Sequence, residues 1–356
     1  MAQQKKILVA PLNWGLGHAA RCVPIIRELQ RQKAEVIIGG DGMALAYLKT
    51  EFPELLSISI PDLKIRYPKS GGFLLYFAIR IPRLYSHVKK ENAVLKKLVR
   101  QHEIDGVISD NRYGLHHAVK PSALITHQLY IETPSFKKTV HLMVRKLISK
   151  FNVCWVPDLA GSENLSGRLS HSGRLIPKTE YIGLLSRFSA PIKEKVIQRK
   201  VLAILSGPEP YRSQLEALLI QELGTLKCNA LIVRGVVTEK NNREKISNQL
   251  DIVDYLTADE ILAETKKSEF LITRSGYSSI MDLVAMHQKA VLIPTPGQTE
   301  QKYLAQHLNK HPLFVLASQE NLNLERAFSG LEKSTEGKLT ELPSLKEPIQ
   351  AFLKMC

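Results

Sequence analysis

A glycine-rich loop that ends in a histidine follows the first apolar run of the chain. Asn13-Trp14-Gly15-Leu16-Gly17-His18 comes directly after Ile7–Leu12, and helical spacing begins behind it. Glycines after a strand let backbone N–H groups and a helix N-terminus approach a ligand closely. A histidine in such a loop titrates near neutral pH, so His18 is a candidate general base and Gly17 a candidate ligand contact. A packing or capping histidine is the alternative that the residues leave open.

A second loop of small polar residues follows the run Phe270–Thr273. Its sequence is Arg274-Ser275-Gly276-Tyr277-Ser278-Ser279, and a helical segment with Asp282 comes next. A strand, a small-residue turn and a helix present free N–H groups and hydroxyls that suit a phosphate or diphosphate. Asp282, about two turns into the helix, is placed to accept hydrogen bonds from ribose hydroxyls. The alternative is an ordinary helix N-terminus capped by Ser275.

Two further loops occupy matching positions at the ends of apolar runs. Leu205-Ser206-Gly207-Pro208-Glu209-Pro210 ends the run Val201–Leu205, and Pro294 to Gln301 follows Ala290–Ile293, with polar side chains for a sugar. Asp110 ends the run Gly106–Ser109, where it could position an acceptor hydroxyl or orient His18. A helix N-cap explains Asp110 almost as well. Each loop alone is weak evidence for a binding site, but several loops in matching positions favour a binding cleft.

The elements that position these loops are short β-branched runs that alternate with amphipathic segments. The predicted strands are Ile7–Leu12, Glu35–Gly39, Leu55–Ile60, Gly106–Ser109, Ala123–Thr126, Val153–Val156, Val201–Leu205, Ala230–Val233, Ile252–Tyr255, Phe270–Thr273 and Ala290–Ile293. A looser stretch, Asp158–Lys178, divides them into two series. The pattern predicts an α/β protein with two doubly wound, Rossmann-like domains, residues 1–184 and 185–344, and a final helix at 345–356 that joins the first domain.

The charge of the chain is concentrated in its first half. The 356 residues carry 49 Lys and Arg against 34 Asp and Glu, and residues 1–184 hold 27 of the former and 14 of the latter. Such an asymmetry points to an anionic partner of one half only. Four scattered cysteines exclude a disulfide scaffold or a zinc finger, and no apolar run is long enough to span a bilayer.

Two basic stretches combine apolar and cationic residues. Lys64–Arg100 holds ten basic residues and one acidic residue, and Phe136–Phe151 holds no acidic residue at all. This composition suits helices that lie in the headgroup region of an anionic membrane, while the absence of a base-stacking platform argues against nucleic acid. Core-facing helices with solvated basic faces are the alternative. The candidate surface consists of Phe73, Leu74, Phe77, Arg80, Arg83, Lys89, Lys90, Lys137, Lys138 and Arg145.

The loops resemble those of GT-B-fold glycosyltransferases of family 28, which includes the membrane-associated N-acetylglucosaminyltransferase of peptidoglycan synthesis. Gly15–His18 is similar to the glycine-rich N-terminal loop of that family. Arg274–Leu283, followed by Pro294 and Gln298–Gln301, is similar to its donor-binding segment. The resemblance implies two domains facing across a cleft. The first would receive the acceptor, and the second would bind a nucleotide-diphosphate sugar, with uridine as the favoured nucleoside.

The resemblance also implies a role for individual residues. The diphosphate would face Ser275 and Gly276, with Ser206 and Gly207 nearby, and Asp282 would hold the ribose where the family more often has Glu. The backbone at Tyr255 and Leu256 would read the base. The sugar would meet Gln298, Glu300 and Gln301, and Gly17, Arg274 and Ser278 complete the donor set. Glu209 departs from the family, because a carboxylate beside phosphates needs a cation such as Arg212 or Arg274.

The implied activity is inverting transfer of a sugar to a lipid-linked or saccharide acceptor, without a metal or cofactor, at the cytoplasmic face of the plasma membrane. Two alternatives stay open. Gly15-x-Gly17-His18-x-x-Arg21-Cys22 is also similar to GT-B-like nucleotide-sugar hydrolases of sialic-acid-like sugar pathways, in which the histidine activates water. A non-catalytic protein with a basic binding surface is the other alternative.

Overall fold

The chain forms two compact α/β units. The computed structural model describes residues 4–61, 73–131, 137–173, 176–188, 190–237, 240–335 and 343–356, without the side chains of 73–84 and 137. The first unit comprises residues 1–14, 21–185 and 343–356, and the second comprises residues 15–20 and 186–342. The glycine-rich segment Gly15–Ala20 therefore groups with the second unit although it begins a helix that continues in the first.

The first unit is built on a parallel sheet with the strand order β3-β2-β1-β4-β5-β6-β7. Its strands are β1 (Lys6–Pro11), β2 (Glu35–Gly40), β3 (Leu56–Ser59), β4 (Gly106–Asp110), β5 (Ser122–Ile125), β6 (Val153–Val156) and β7 (Thr179–Tyr181). Its helices are α1 (Leu16–Arg31), α2 (Gly42–Glu51), α3 (Phe73–His102), α4 (Lys137–Ile148) and α5 (Arg168–His171). The order reverses between β1 and β4, so the loops after these two strands lie at the switch point where ligands of such sheets bind.

Burial explains why the central strands consist of apolar residues. Every residue of β4, β5 and β6 is buried, as expected of parallel strands that are covered on both faces. Helix α3 packs Leu95, Leu98 and Val99 against Leu8 and Val107 of the sheet. The core of the first unit therefore holds the carboxyl ends of β1 and β4 in place.

The second unit contains a sheet with the order β10-β11-β9-β8-β12-β13-β14. Its strands are β8 (Arg199–Ile204), β9 (Ala230–Val233), β10 (Arg243–Lys245), β11 (Leu250–Val253), β12 (Ser268–Thr273), β13 (Ala290–Leu292) and β14 (Phe314–Leu316). Its helices are α6 (Tyr211–Thr225), α7 (Ala258–Lys266), α8 (Tyr277–Met286), α9 (Thr299–His307) and α10 (Leu324–Lys333). Among the described strands only β10 pairs antiparallel, with β11. Here the order reverses between β8 and β12.

The last helix, α11 (Lys346–Met355), belongs to the first unit. Phe352 packs edge-on against Trp155 with ring centroids 5.6 Å apart, and the ammonium of Lys5 donates to the carbonyl of Cys356. Within the described part of the chain, no helix combines the length and the apolar character that a bilayer span requires.

The structure confirms the predicted α/β class and every predicted strand, with small shifts of their ends. Among the described residues it adds three strands that the sequence pattern does not predict, β7, β10 and β14, each of three residues at an outer position of its sheet. All three residues of β10 are exposed and charged, so no apolar pattern marks it. Pairing with β11 alone makes this segment a strand.

Candidate functional site

The loops after β8, β12 and β13 meet at the switch point of the second unit. β12 pairs with β8 on one side and with β13 on the other, so the carboxyl ends of the three strands are neighbours. Gly207, in the loop after β8, has a φ of +107°, and a Cβ built on it would lie 3.7 Å from Oγ1 of Thr295 in the loop after β13. Only glycine adopts this backbone conformation without strain, so Gly207 lets the two loops approach across the end of β12.

Arg274 is fully buried directly after β12. Its Nη1 donates to Oε1 of Gln319 at 2.7 Å, and its Nη2 donates to the carbonyl of Tyr211 at 2.7 Å. Burial lowers the pKa of Arg274 to about 10. Among the described residues no carboxylate pairs with this guanidinium, which is held by neutral dipoles only. A buried cation without an anion creates a positive potential at the strand ends.

Three buried polar atoms beside these strand ends lack a hydrogen-bond partner among the described residues. They are Nε of Arg274, Oγ1 of Thr273 at the end of β12, and Oγ1 of Thr295 after β13. The two threonines are 3% and 1% exposed. Buried polar groups without partners are rare in folded proteins, and an anionic ligand that accepts from them is a specific physical reason for their presence. These three hydrogen-bond donors suit a phosphate group.

Helix α8 begins at this same point without a side-chain cap. Its N-cap residue is Gly276, which makes no side-chain hydrogen bond, and the hydroxyl of Ser275 donates instead to the carbonyl of Gln301 at 2.9 Å. Ser275 therefore does not cap this helix in the way that the alternative to a ligand site had expected. The N–H groups at the start of α8 and the helix dipole add to the positive potential of Arg274.

The glycine-rich segment contacts the start of α8. The hydroxyl of Ser278 donates to the carbonyl of Gly17 at 2.8 Å, and a Cβ on Gly17 would lie 3.2 Å from that hydroxyl oxygen. A side chain at residue 17 would therefore push against Ser278. Because His18 follows Gly17 directly, the candidate base is the neighbour in sequence of a residue that bonds to the start of α8.

The predicted sugar contacts divide into two kinds. Gln301 is buried, and its Oε1 accepts from the backbone N–H of Thr295 at 2.8 Å, so this side chain closes the loop between β13 and α9. Gln298 and Glu300 are half-buried at the start of α9. Their contact with a sugar stays a prediction.

Glu209 has the cation that its position requires. Its Oε1 accepts from Nε of Arg212 at 2.8 Å, and its Oε2 accepts from the N–H of Ser213. Burial opposes the change, but the hydrogen bonds from Ser213 and Arg212 lower the pKa of Glu209. Arg212 also binds Glu216, whose other oxygen accepts from Arg234 at 2.9 Å. Glu209 thus belongs to a chain of ion pairs along the start of α6.

That chain of ion pairs reaches the predicted base-reading segment. Nη1 of Arg234 donates to Asp254 at 3.2 Å, at the end of β11, directly before Tyr255 and Leu256. The N–H of Tyr255 donates to Oδ1 of Asn241 at 3.1 Å. One of the two backbone positions predicted to read the base is therefore already bonded within the loop, and Leu256 is half-buried beside it.

Asp282, the predicted ribose contact, binds other residues of the second unit. Its Oδ1 accepts from the hydroxyl of Ser186 at 2.8 Å and from the N–H of Arg187 at 3.2 Å. Its Oδ2 accepts from Nε of Arg187 at 3.1 Å and from Nη2 at 2.9 Å. The carboxylate holds the segment at 186–187 against α8.

Asp110 forms a buried ion pair in the first unit. Nε and Nη2 of Arg21 donate to its two carboxylate oxygens, and Nη1 of Arg21 donates to Nδ1 of His127 at 3.3 Å. Arg21 is 2% exposed and Asp110 is fully buried. The structure thus places Asp110 between α1 and β4, and its predicted help to an acceptor or to His18 stays a prediction.

Several residues that organise these sites have no predicted role. Thr273 and Thr295 are unmarked members of a strand and a loop, and Arg187 lies in the segment between the predicted domains. Arg21 appears only as part of a motif. Arg21 lies three residues after His18 in α1, and the structure shows that it is buried. A buried charged residue needs a partner, and its place in the helix is the one local signal of this.

The basic stretches are core-facing helices wherever their side chains are described. Helix α4 packs Val140, Val144 and Ile148 into the core and exposes Lys138 and Arg145, and α3 exposes Lys89 and Lys90. Leu142 is the exception, since it is 69% exposed on the basic face of α4. The side chains of Phe73, Leu74, Phe77, Arg80, Arg83 and Lys137 lie outside the described residues.

Metal ligands are not grouped in the described ranges: no three of their His, Cys, Asp and Glu residues come together as a metal site would require. The polar groups that the switch point of the second unit offers are hydroxyls, a guanidinium and backbone N–H groups, which are ligands for anions.

Comparison with known protein families identifies the second half of the chain. Residues 217–354 match the glycosyltransferase family 28 C-terminal domain. An uncharacterized glycosyltransferase of Methanopyrus kandleri is 20% identical over 336 residues, which cover 89% of this chain and 93% of that protein. The matched domain includes β12, α8 and β13, the elements that form the candidate anion site.

Solved structures share the fold of the whole chain. The glycosyltransferase SnogD from Streptomyces nogalater superposes with a TM-score of 0.64 at 14% identity and covers 99% of this chain and 100% of its own. UGT89C1 of Arabidopsis thaliana gives 0.62 at 12% identity, with 99% and 100% covered. MurG of Acinetobacter baumannii gives 0.58 at 12% identity, with 98% and 99% covered. At these identities the likeness shows the GT-B fold.

Proposed function

Since the chain is a family 28-like glycosyltransferase of the GT-B fold, we propose that it moves a sugar from a nucleotide-diphosphate sugar, with UDP as the favoured nucleotide, to a lipid-linked acceptor at an anionic membrane. The proposed binding of the nucleotide sugar rests on one observation, the group of buried hydrogen-bond donors at the switch point of the second unit. Arg274 has no anionic partner among the described residues, and the buried hydroxyls of Thr273 and Thr295 beside it have no hydrogen-bond partner there.

The proposed chemistry uses this group to stabilise the leaving diphosphate. The acceptor hydroxyl forms a bond to the anomeric carbon while the bond to the diphosphate oxygen breaks and its electron pair stays on the diphosphate. Arg274, the two threonine hydroxyls and the N-terminus of α8 stabilise the negative charge that develops there. Attack opposite the leaving group inverts the anomeric configuration, and no step needs a metal.

His18 is the proposed general base. Gly17 is anchored to Ser278 at the start of α8, so the residue next to it is held close to the proposed diphosphate site. A histidine at this place takes the proton of the acceptor hydroxyl as the new bond forms. The same residue would activate water in a hydrolase, which is why product analysis has to separate the two reactions.

The proposed acceptor side is the first unit. Its exposed residues Lys89, Lys90, Lys138 and Arg145, with Leu142 among them, would meet anionic headgroups from the cytoplasmic side of the plasma membrane. A lipid-linked acceptor at a cell-envelope membrane would then reach the protein without leaving the bilayer.

A two-part experiment tests the proposed reaction. Thermal shift with nucleoside diphosphates and nucleotide sugars identifies the donor, and mass analysis after incubation with that donor and a lipid extract identifies the product. A glycosylated lipid is the expected result. Free sugar released at the same rate without lipid would make the chain a hydrolase, and the absence of any nucleotide binding would refute the donor site.

Vesicle flotation tests the membrane part of the proposal. Replacing Lys138 and Arg145 by Gln removes two exposed cations of α4, at about 1 kcal/mol each near an anionic bilayer, so vesicle partition should weaken by roughly 30-fold. Neutral vesicles show how much of the binding depends on charge. Arg243→Gln with Lys245→Gln, on the exposed strand β10 of the second unit, is the control. Equal partition of both double variants would exclude α4 from the membrane surface.

A further inference from the structure

We propose that this donor site accepts ribonucleoside and 2′-deoxyribonucleoside diphosphates alike, because the side chain expected to hold the ribose, Asp282, is committed to Ser186 and Arg187. The inference rests on the proposed function, since it concerns the nucleotide at that same site. It makes the chain differ from an enzyme that reads ribose hydroxyls with a free carboxylate.

A count of hydrogen bonds carries the proposal. An ionised carboxylate offers about four acceptor positions, two on each oxygen. Oδ1 of Asp282 receives the hydroxyl of Ser186 and the N–H of Arg187, and Oδ2 receives Nε and Nη2 of Arg187. All four positions are filled by groups of the same unit, so a ribose hydroxyl has no lone pair of this carboxylate to donate to.

The strength of these bonds makes displacement by ribose unfavourable. Both oxygens are bonded to Arg187, and its two guanidinium bonds join opposite charges, whereas a ribose hydroxyl is a neutral donor. The pair is also shielded, since the side chains of Arg187 and Asp282 are 13% and 8% exposed. A ribose that displaced Arg187 would leave a largely buried guanidinium without its anion.

The backbone around the pair is ordered by the same residues. The hydroxyl oxygen of Ser186 accepts from the N–H of Phe188 at 3.0 Å while its hydrogen goes to Asp282. Ser186 is 7% exposed and Phe188 is 4% exposed. Moving Asp282 toward a ligand would therefore break a turn as well as an ion pair. Asp282 acts as a positioning residue that anchors the segment at 186–188 to helix α8.

The geometry of α8 separates the two ends of the nucleotide. Asp282 is the sixth residue of this helix, so it lies about 7.5 Å along the axis from the first residue, Tyr277, at the end proposed to face the diphosphate. The ion pair with Arg187 makes this point of the helix neutral. Recognition of the diphosphate by Arg274 and the threonines therefore does not depend on the 2′-hydroxyl. Because Asp282 is neutralised by Arg187, the ribose also meets no net charge at this point of the helix.

Calorimetry with matched nucleotides tests the proposal on the full chain. UDP and dUDP differ only in the 2′-hydroxyl, and the pairs of ADP, GDP and CDP with their deoxy forms extend the test to other bases. We expect the dissociation constants of the ribo and deoxy forms of the preferred base to agree within about threefold. A ribo preference of about tenfold or more, the size of a lost hydrogen bond to a charged group, overturns the proposal.

The variant Asp282→Asn separates a positioning role from ribose binding. We expect a lower melting temperature and an unchanged ratio of UDP to dUDP affinity, whereas Asp251→Asn, in an exposed pair with Arg243, changes neither. Loss of UDP affinity with dUDP affinity retained overturns the proposal. The wild-type ratio decides the question even where Asp282→Asn fails to fold. If no nucleoside diphosphate binds, the proposed function fails and takes this inference with it, whereas binding with a ribo preference refutes this inference alone.

Discussion

Arg21 and Asp110, 89 residues apart in the chain, form a bidentate ion pair that joins helix α1 to the end of strand β4. Asp110 is fully buried, and Arg21 also reaches His127 after β5. The pair connects the loops on both sides of the switch point of the first unit. Asp110, which the sequence predicts to assist catalysis, therefore has a structural function in the first unit.

Removal of one member of this pair should destabilise the first unit strongly. Arg21→Met leaves the carboxylate of Asp110 buried without its cation, which costs about 3–5 kcal/mol. Urea denaturation followed by circular dichroism measures the loss. Arg243→Met, in an exposed ion pair with Asp251, is the control and should cost less than about 1 kcal/mol. Equal midpoints for the two variants would contradict the structural role.

Thr295→Val should stabilise the protein and weaken nucleotide binding. The variant replaces a buried hydroxyl that has no partner in the described residues, which removes a penalty of about 1 kcal/mol from the folded state. The same change removes a donor to the proposed diphosphate, so the dissociation constant should rise roughly tenfold. Differential scanning calorimetry and titration with UDP measure the two effects.

Thr265→Val is the matched control for that variant. The hydroxyl of Thr265 is equally buried but donates to the carbonyl of Ile261 at 2.7 Å, within helix α7. This change should lower the free energy of unfolding by about 1 kcal/mol and leave nucleotide affinity unchanged. Opposite stability effects with a binding defect in Thr295→Val alone support an anion site. Identical behaviour of the two variants would argue against it.

Arg274→Met should weaken donor binding at least as much as the threonine variant. The substitution removes the one buried cation that the described residues place at the strand ends and with it a charge-assisted hydrogen bond, so the dissociation constant should rise by about 10–100-fold. Arg326→Met, at an exposed position of α10, serves as the control. Wild-type affinity in correctly folded Arg274→Met protein would place the diphosphate elsewhere.

His18→Ala should separate binding from turnover. A general base contributes about 10²–10⁴-fold to the rate, so transfer should fall by that factor while the dissociation constant for UDP stays within about threefold. The control is His307→Ala, whose ring is exposed and stacks on Tyr303. Near-normal turnover of the folded His18→Ala protein would remove His18 from the mechanism.

Acid should remove the stabilisation that Asp158 provides. Burial opposes the change, but hydrogen bonds from His171, Ser166 and the N–H of Leu165 lower the pKa of this carboxyl. A lowered folded-state pKa means that the stabilisation is present above the usual value of about 3.9 and is lost as the pH falls through the lower one. Asp158→Asn should therefore be less stable than the wild type at neutral pH, and the gap should shrink below about pH 4. Urea denaturation at both pH values checks this, and a constant gap would contradict it.

The sequence by itself determined the sheets and the loops that carry the candidate site. Buried parallel strands have to be apolar along their whole length, so runs such as Ala230–Val233 can be recognised in the sequence. Ligand loops follow the carboxyl ends of such strands. Gly207 and Gly276 were found in this way. A strand such as β10, which is exposed on every residue, leaves no such pattern, and it exists only because β11 lies beside it.

Only the tertiary structure decided which charged and polar groups have partners. Asp282 and Arg187 are 95 residues apart, and Arg21 and Asp110 are 89 apart, so no local spacing indicates either pair. Burial and lone-pair occupancy are properties of the packed chain, because they depend on what each fold brings to within hydrogen-bond distance. Within the described residues, the same packing leaves Arg274 without an anion and Asp282 without a free oxygen. This contrast is the reason why Arg274 is proposed to bind the ligand and Asp282 is not.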